Sequence, residues 1–165
     1  MLCEDLPLVS SVQTATPRKM TIEVAQFRTQ GYLLHSARAG GNPDADIERF
    51  QRVVAELQLG ETLAADANGG WLSHEALRVT RTLHDADIYF EQPCASYAEC
   101  LSFRQHVQQP IVLDEIVVNI GDILRIDRDH AADVINIKIS RVGGLTKARQ
   151  IRDVCASLGL GVWIQ

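Results

Sequence analysis

Positive charge is in short supply: 16 lysines and arginines face 21 aspartates and glutamates, a formal net charge of −5 at pH 7. No basic stripe is present to neutralise phosphates, so no nucleic-acid partner is expected. Long apolar runs are missing as well. None approaches the roughly 18 residues of a membrane span, so no membrane partner is expected either. Met1-Leu2-Cys3-Glu4-Asp5 lacks a basic segment leading into an apolar one, which argues against a secretory leader. The four cysteines, Cys3, Cys94, Cys100 and Cys155, show no CxxC spacing. That favours reduced, mostly buried thiols over a disulfide or zinc set, and with the other absences it predicts a cytoplasmic protein. A GxGxxG turn after the first strand is also lacking, which removes the usual mark of a doubly wound phosphate-binding sheet.

What the chain does have is a repeated device. Ile88-Tyr89-Phe90 is a β-type run that ends in Glu91, and Gln92-Pro93 then turns the chain out of any regular element. Leu63-Ala64-Ala65 ends in Asp66 before Gly69-Gly70. Ile111-Val112-Leu113 ends in Asp114-Glu115, and Val134-Ile135-Asn136-Ile137 ends in Lys138 before Gly143-Gly144. The four charged residues are separated by 25, 23 and 24 residues. A near-constant period with charge at one phase marks a repeated supersecondary unit. Helical patterns lie between the runs, so the unit is strand, loop, helix, and right-handed crossovers make every strand parallel. All four charges are expected at one edge of one sheet.

In order, a strand is expected over Leu6–Val12, a helix from Thr16-Pro17 to about Thr29, and a strand over Tyr32–Arg38. Asn42-Pro43-Asp44 should cap a helix with Ile47, Phe50, Val53, Val54 and Leu57 on one face. Ser73 is the expected cap of a helix carrying Ala76, Leu77, Thr80 and Leu83. Further helices are expected over Tyr97–Gln108 and Ile120–His130, then one with Leu145, Ala148, Ile151, Val154 and Leu158 as its apolar stripe. A seventh strand is expected over Gly159–Gln165.

With 46% hydrophobic residues in 165, the chain can bury a real core. Chemistry at the carboxyl ends of several parallel strands is the pattern of an eight-stranded barrel, which needs about 200 residues or more. The expectation is therefore a partial (β/α)8 TIM-type barrel of about six βα units plus a seventh strand, truncated at its C-terminal side.

Asp66, Glu91 and Asp114 come from consecutive strands about 4.8 Å apart, so their carboxylates could converge on one point. Three like charges held together call for a cation, and hard oxygen donors suit Mg²⁺ or Mn²⁺. One such acid alone would more simply cap a helix or face water. Lys138, one strand further, would have its pKa lowered beside a cation if poorly solvated, which suits a base. Glu115 either pairs with Lys138 or is a solvated neighbour. His35, His74, His84, His106 and His130 are read as structural or exposed.

The motifs Asp66-Ala67-Asn68, Phe90-Glu91-Gln92-Pro93, Leu113-Asp114-Glu115, Asn136-Ile137-Lys138 and Gly143-Gly144-Leu145 resemble the barrel domain of the enolase superfamily, in its mandelate racemase and muconate lactonizing branch. Tyr97-Ala98-Glu99-Cys100 and Arg141 to Arg149 resemble members acting on proline derivatives, cis-3-hydroxy-L-proline dehydratases and proline betaine epimerases. The resemblance implies that residues 1–165 are an incomplete C-terminal barrel domain. It implies Mg²⁺ at Asp66, Glu91 and Asp114, with Glu115 beside them and Lys138 as acid/base. It also implies a small carboxylate substrate contacted by Ser36 and Asn68, and a homo-oligomeric full-length protein. The implied reaction removes the proton α to a carboxylate, giving an enediolate that goes on to dehydration or epimerisation.

Three departures from the family pattern stand out. Its second strand ends in Lys-x-Lys, where Ser36-Ala37-Arg38 stands here. Arginine cannot act as a base, so Arg38 is expected to orient or neutralise the substrate carboxylate. The family's acid-rich end of the seventh strand and its N-terminal capping domain are not matched in these 165 residues. Weak or no turnover by this chain alone is therefore expected. The alternative is a catalytically silent fragment or binding remnant.

Overall fold

The computed structural model describes residues 7–165, and among these, strands and helices alternate without a break. The strands are β1 (Val9–Val12), β2 (Leu34–Arg38), β3 (Thr62–Asp66), β4 (Ile88–Glu91), β5 (Ile111–Leu113), β6 (Val134–Ile137) and β7 (Gly161–Ile164). The helices are α1 (Pro17–Thr29), α2 (Pro43–Glu56), α3 (Ser73–Thr82), α4 (Tyr97–Arg104), α5 (Ile120–Asp129) and α6 (Leu145–Leu158). The strands form one sheet in chain order, and every neighbouring pair is parallel. Cys3 and the start of the expected first strand at Leu6 lie outside the described residues. No helix among the described residues is long and apolar enough to cross a membrane.

Local sequence explains where most elements begin and end. Pro17 stands at the first turn of α1, and the Asn42 side chain accepts from the amides of Asp44 and Ala45 at the start of α2. Ser96 and Asn119 cap α4 and α5, each answered by an acid three residues on, Glu99 and Asp122. His130 ends α5 in the left-handed region, at φ 50°. Three expectations need correction. Ser73 is the first residue of α3 and not its cap; the Leu72 amide is satisfied by the Glu75 carboxylate instead. Helix α4 stops at Arg104, short of Gln108, because Gln105 to Pro110 turns towards β5. Leu145 does not join the apolar stripe of α6 and is 74% exposed.

The sheet has two unlike faces, as a strand period of two requires. Ala37, Leu63, Ala65, Ile88, Phe90, Ile111, Leu113, Ile135 and Ile137 point outward into the core shared with the helices. Ser10 and His35 share this face, joined by a hydrogen bond of 2.7 Å, so His35 is structural. Ala64, Val112 and Val134 are buried too, yet stand outside that core and lie on the inner face.

The inner face is concave. Tyr89 on β4 and Trp163 on β7 have ring centroids 5.6 Å apart. In a flat sheet three strand spacings would separate their backbones by about 14 Å. Strands β1 and β7, at opposite edges of the sheet, both line a single cavity. The architecture is a curled half-barrel of seven parallel strands with helices on its convex side.

Candidate active site

The cavity enclosed by the curl has a volume of about 850 Å³, and its lining includes residues at the carboxyl ends of the strands. Ser36, Arg38, Asp66, Asn68, Glu91, Asp114, Glu115 and Lys138, all eight residues singled out from the sequence, line it. Arg38, Asp66 and Glu91 stand at the last residue of their strands, Asp114 and Lys138 at the first residue beyond theirs, all on inward parity; Ser36 lies lower on β2, and Asn68 and Glu115 come from the loops that follow β3 and β5.

The strand ends are tied together beyond the ladder. Ala39 donates to the Asp66 carbonyl at 2.7 Å, Ala67 to the Glu91 carbonyl at 3.0 Å and Gln92 to the Val112 carbonyl at 2.9 Å. The buried Gln92 side chain accepts from the Asp114 amide at 3.1 Å and donates to the Cys94 carbonyl at 2.9 Å. The loops after β2 and β3 touch backbone to backbone, so that a Cβ on Gly40 would stand 2.2 Å from the Ala67 carbonyl oxygen. Buried Asp46 clamps the same two loops, accepting from the Trp71 indole at 3.0 Å and from the Gly41 amide at 3.2 Å.

The charged residues are stepped and not level. Arg38, Asp66 and Glu91 pair in register across β2, β3 and β4. Glu91 is level with Val112 and Val112 with Val134, so Asp114 lies two residues further along and Lys138 four. The stagger of a closing sheet accounts for this.

Each carboxylate has its own partner. Asp66 accepts from the Asn68 amide and side chain at 3.0 Å each. Glu91 is 2% exposed and accepts at 2.6 Å from Asn136, two strands away. Asp114 is ion-paired to Arg141. Glu115 takes neither course expected of it, accepting from Asn68 at 3.0 Å instead of pairing with Lys138 or standing in solvent alone. Arg38 donates to the Asn68 side-chain oxygen at 2.9 Å, so Asn68 joins three charged groups. Its φ of 47°, which few residues other than glycine tolerate, is part of what turns it inward. Lys138 forms no ion pair among the described residues and is exposed, not poorly solvated as expected.

Negative charge is in excess here. Burial, followed by the neighbouring Asp66 charge, pushes the Glu91 carboxyl up to about 7; Asp114 and Glu115 add to the rise, while the Asn136 hydrogen bond works against it. Burial also raises Asp66, with a contribution from Glu115 and with the Asn68 hydrogen bonds working against it.

Such a donor set suits a hard divalent cation, but the three acids do not converge as expected. Among the described residues no group of three or more acids, histidines or cysteines stands close enough to hold an ion. The reason is visible in the partners: Asp114 is turned onto Arg141 and Asp66 onto Asn68. Asp66, Glu91 and Asp114 are hard oxygen donors of the kind Mg²⁺ takes, and in this arrangement the Arg141 pairing turns Asp114 away from the other two.

Three contributors were not assigned roles from the sequence: Asn136, Gln92 and Arg141. Asn136 shares inward parity with Lys138, so its place was readable. The reach of Gln92 and Arg141 to β5 carries no local signal.

Comparison with known proteins adds relatives to this geometry. The chain matches the family described as Enolase C-terminal domain-like over residues 19–165. It is 36% identical over 162 residues to a cis-3-hydroxy-L-proline dehydratase of Roseibium aggregatum, covering 98% of this chain and 44% of that protein. A mandelate racemase/muconate lactonizing enzyme from Roseovarius nubinhibens superposes with a TM-score of 0.91 at 35% identity, over 98% of this chain and 45% of that one. A Roseovarius nubinhibens member of the enolase superfamily, solved with magnesium, superposes with a TM-score of 0.89 at 38% identity, over 94% of this chain and 42% of that one. The chain thus spans less than half the length of these relatives.

Proposed function

Because the chain belongs to the Enolase C-terminal domain-like family, we propose that it carries the catalytic face of an enzyme that removes the proton α to a carboxylate. Dehydration of a hydroxyproline or related proline derivative is the reaction this reading favours, with epimerisation as the other fate of the enediolate. The observation that carries it is that Lys138, Arg38 and all three acids line one cavity at the carboxyl ends of the strands.

Asp66, Glu91 and Asp114 would hold Mg²⁺, or Mn²⁺ in its place, with Glu115 beside them. A bound ion supplies positive charge against the second negative charge that develops on the substrate carboxylate. Lys138, free of any ion pair among the described residues, takes the proton from carbon. Arg38 stays protonated, so it orients the carboxylate and cannot return a proton from the opposite face. Asn68 aligns Arg38 with Asp66, and Ser36, level with Ala64 and lower on the same inner face, contacts the substrate body.

The reading extends to residues 1–165 as part of a barrel domain, to a homo-oligomeric assembly in the full-length protein and to the cytoplasm. Support for the last comes from the free, buried thiols of Cys94, Cys100 and Cys155. The test is exchange of the α-proton of cis-3-hydroxy-L-proline in D₂O with Mg²⁺, followed by NMR. Loss of the α-proton signal with the wild type, and its persistence with Lys138→Ala, supports the reading.

The arginine in place of a second-strand lysine favours a second one, a silent barrel segment that still binds a cation and a carboxylate. Tight Mn²⁺ binding with no exchange on any proline derivative would establish that alternative.

A further inference from the structure

The pairing that keeps Asp114 from its neighbours has a consequence for ion binding. Arg141 sits in the tight turn after β6, where its own amide and that of Val142 donate to the Lys138 carbonyl at 2.9 and 3.1 Å. That turn aims the guanidinium sideways at the end of β5. One Nη of Arg141 engages Oδ1 of Asp114 and the other stands 3.5 Å from Oδ2, so the fork covers both oxygens. The pair is well shielded, the Asp114 side chain being 6% exposed and that of Arg141 20%. Arg141 does not line the cavity; it reaches the carboxylate from the wall. The Asp114 backbone is held separately, by the Gln92 side chain. The carboxylate can therefore exchange partners by a side-chain rotation that leaves the strand end where it is.

We propose that Arg141 is a positioning residue that holds Asp114 in reserve, as a resident cation competing with the incoming divalent ion for the same carboxylate. The inference rests on the reading of Asp66, Glu91 and Asp114 as the ion's ligands. Asp66 and Glu91 receive the ion first, and Asp114 completes the set only by leaving Arg141. The guanidinium thereby lowers affinity for the ion and keeps a shielded carboxylate from standing uncompensated when no ion is bound.

The experiment is a Mn²⁺ titration of the chain, followed by electron paramagnetic resonance of the free ion, on a double-mutant cycle of Arg141→Gln and Asp114→Asn. Arg141→Gln should tighten Mn²⁺ binding about tenfold, within the range of coupling energies for contacting groups. Asp114→Asn should weaken it, and in that background Arg141→Gln should have no further effect. Arg141→Lys, which keeps the charge but loses the two-pronged fit, should give an intermediate affinity and serves as the test if the glutamine variant does not fold. Weaker binding in Arg141→Gln would overturn the proposal, since the arginine would then be holding Asp114 in its liganding pose. Equal tightening with and without Asp114 would also overturn it, reducing the effect to charge acting at a distance. If Asp114→Asn alone leaves Mn²⁺ affinity unchanged, the ligand reading of Asp114 fails, and this inference with it.

Discussion

The Asn136 amide donates to Glu91 across two strands, at 2.6 Å, and both side chains are buried. The hydrogen bond crosses the inside of the curl, so it reports the concavity of the sheet as directly as any backbone measure. It also counters, in part, the burial and the neighbouring charges that raise the Glu91 carboxyl.

Removing that donor should be costly. Asn136→Ala leaves a buried carboxyl without its partner, and thermal unfolding should show a loss of about 1–3 kcal/mol. Asn136→Asp should lose more at pH 8 than at pH 5, because it places another acid against an already crowded one.

Glu91 makes stability depend on pH in a direction opposite to most carboxylates. Its folded value of about 7 lies above the ordinary 4.5, so the folded state holds this proton more tightly than the unfolded one. Stability is fullest below the ordinary value and falls as pH rises towards 7. The cost at higher pH is roughly 3 kcal/mol at most. Melting curves of wild type and Glu91→Gln from about pH 5 to about pH 8 should diverge, the wild type losing stability where the glutamine variant does not. Parallel curves would show that Glu91 ionises normally.

Lys138→Ala should abolish α-proton exchange, leaving the unfolding free energy within about 0.5 kcal/mol of wild type because the side chain is exposed. Arg38→Lys supplies a second base on the far side of the cavity. Epimerisation, followed by chiral chromatography, should be gained or increased in that variant; no change would mean Arg38 does not face the reacting carbon.

Gly40 carries the contact between the two loops that frame Asp66 and Asn68. Its φ is +85° and a Cβ would meet the Ala67 carbonyl oxygen at 2.2 Å. Gly40→Ala should therefore destabilise by about 2 kcal/mol or more. It should also weaken Mn²⁺ binding, because Ala67 lies between Asp66 and Asn68.

Much of this was legible in the chain alone. The spacing of Asp66, Glu91, Asp114 and Lys138 announced the repeated unit, and strand parity sent each of them to the inner face. Asn42 marked a helix start by local hydrogen bonding that needs no tertiary partner; Ser96 and Asn119 do the same for α4 and α5, and neither was named as a cap from the sequence. The slips were also local. Ser73 looked like a cap, but the Glu75 side chain reaches the Leu72 amide first. Leu145 fitted the apolar period of α6 and still faces out, while Ala148, three residues on, is buried.

Sequence by itself determined the element order, the parallel sheet and the set of side chains at its carboxyl edge, because those follow from backbone sterics and a period of two or 3.6. Only the tertiary structure decided which partner each carboxylate takes: Asn136 for Glu91, Arg141 for Asp114, Asn68 for Asp66 and Glu115. Those choices depend on twist, stagger and curl accumulated over seven strands, and a shift of one register step would exchange them all.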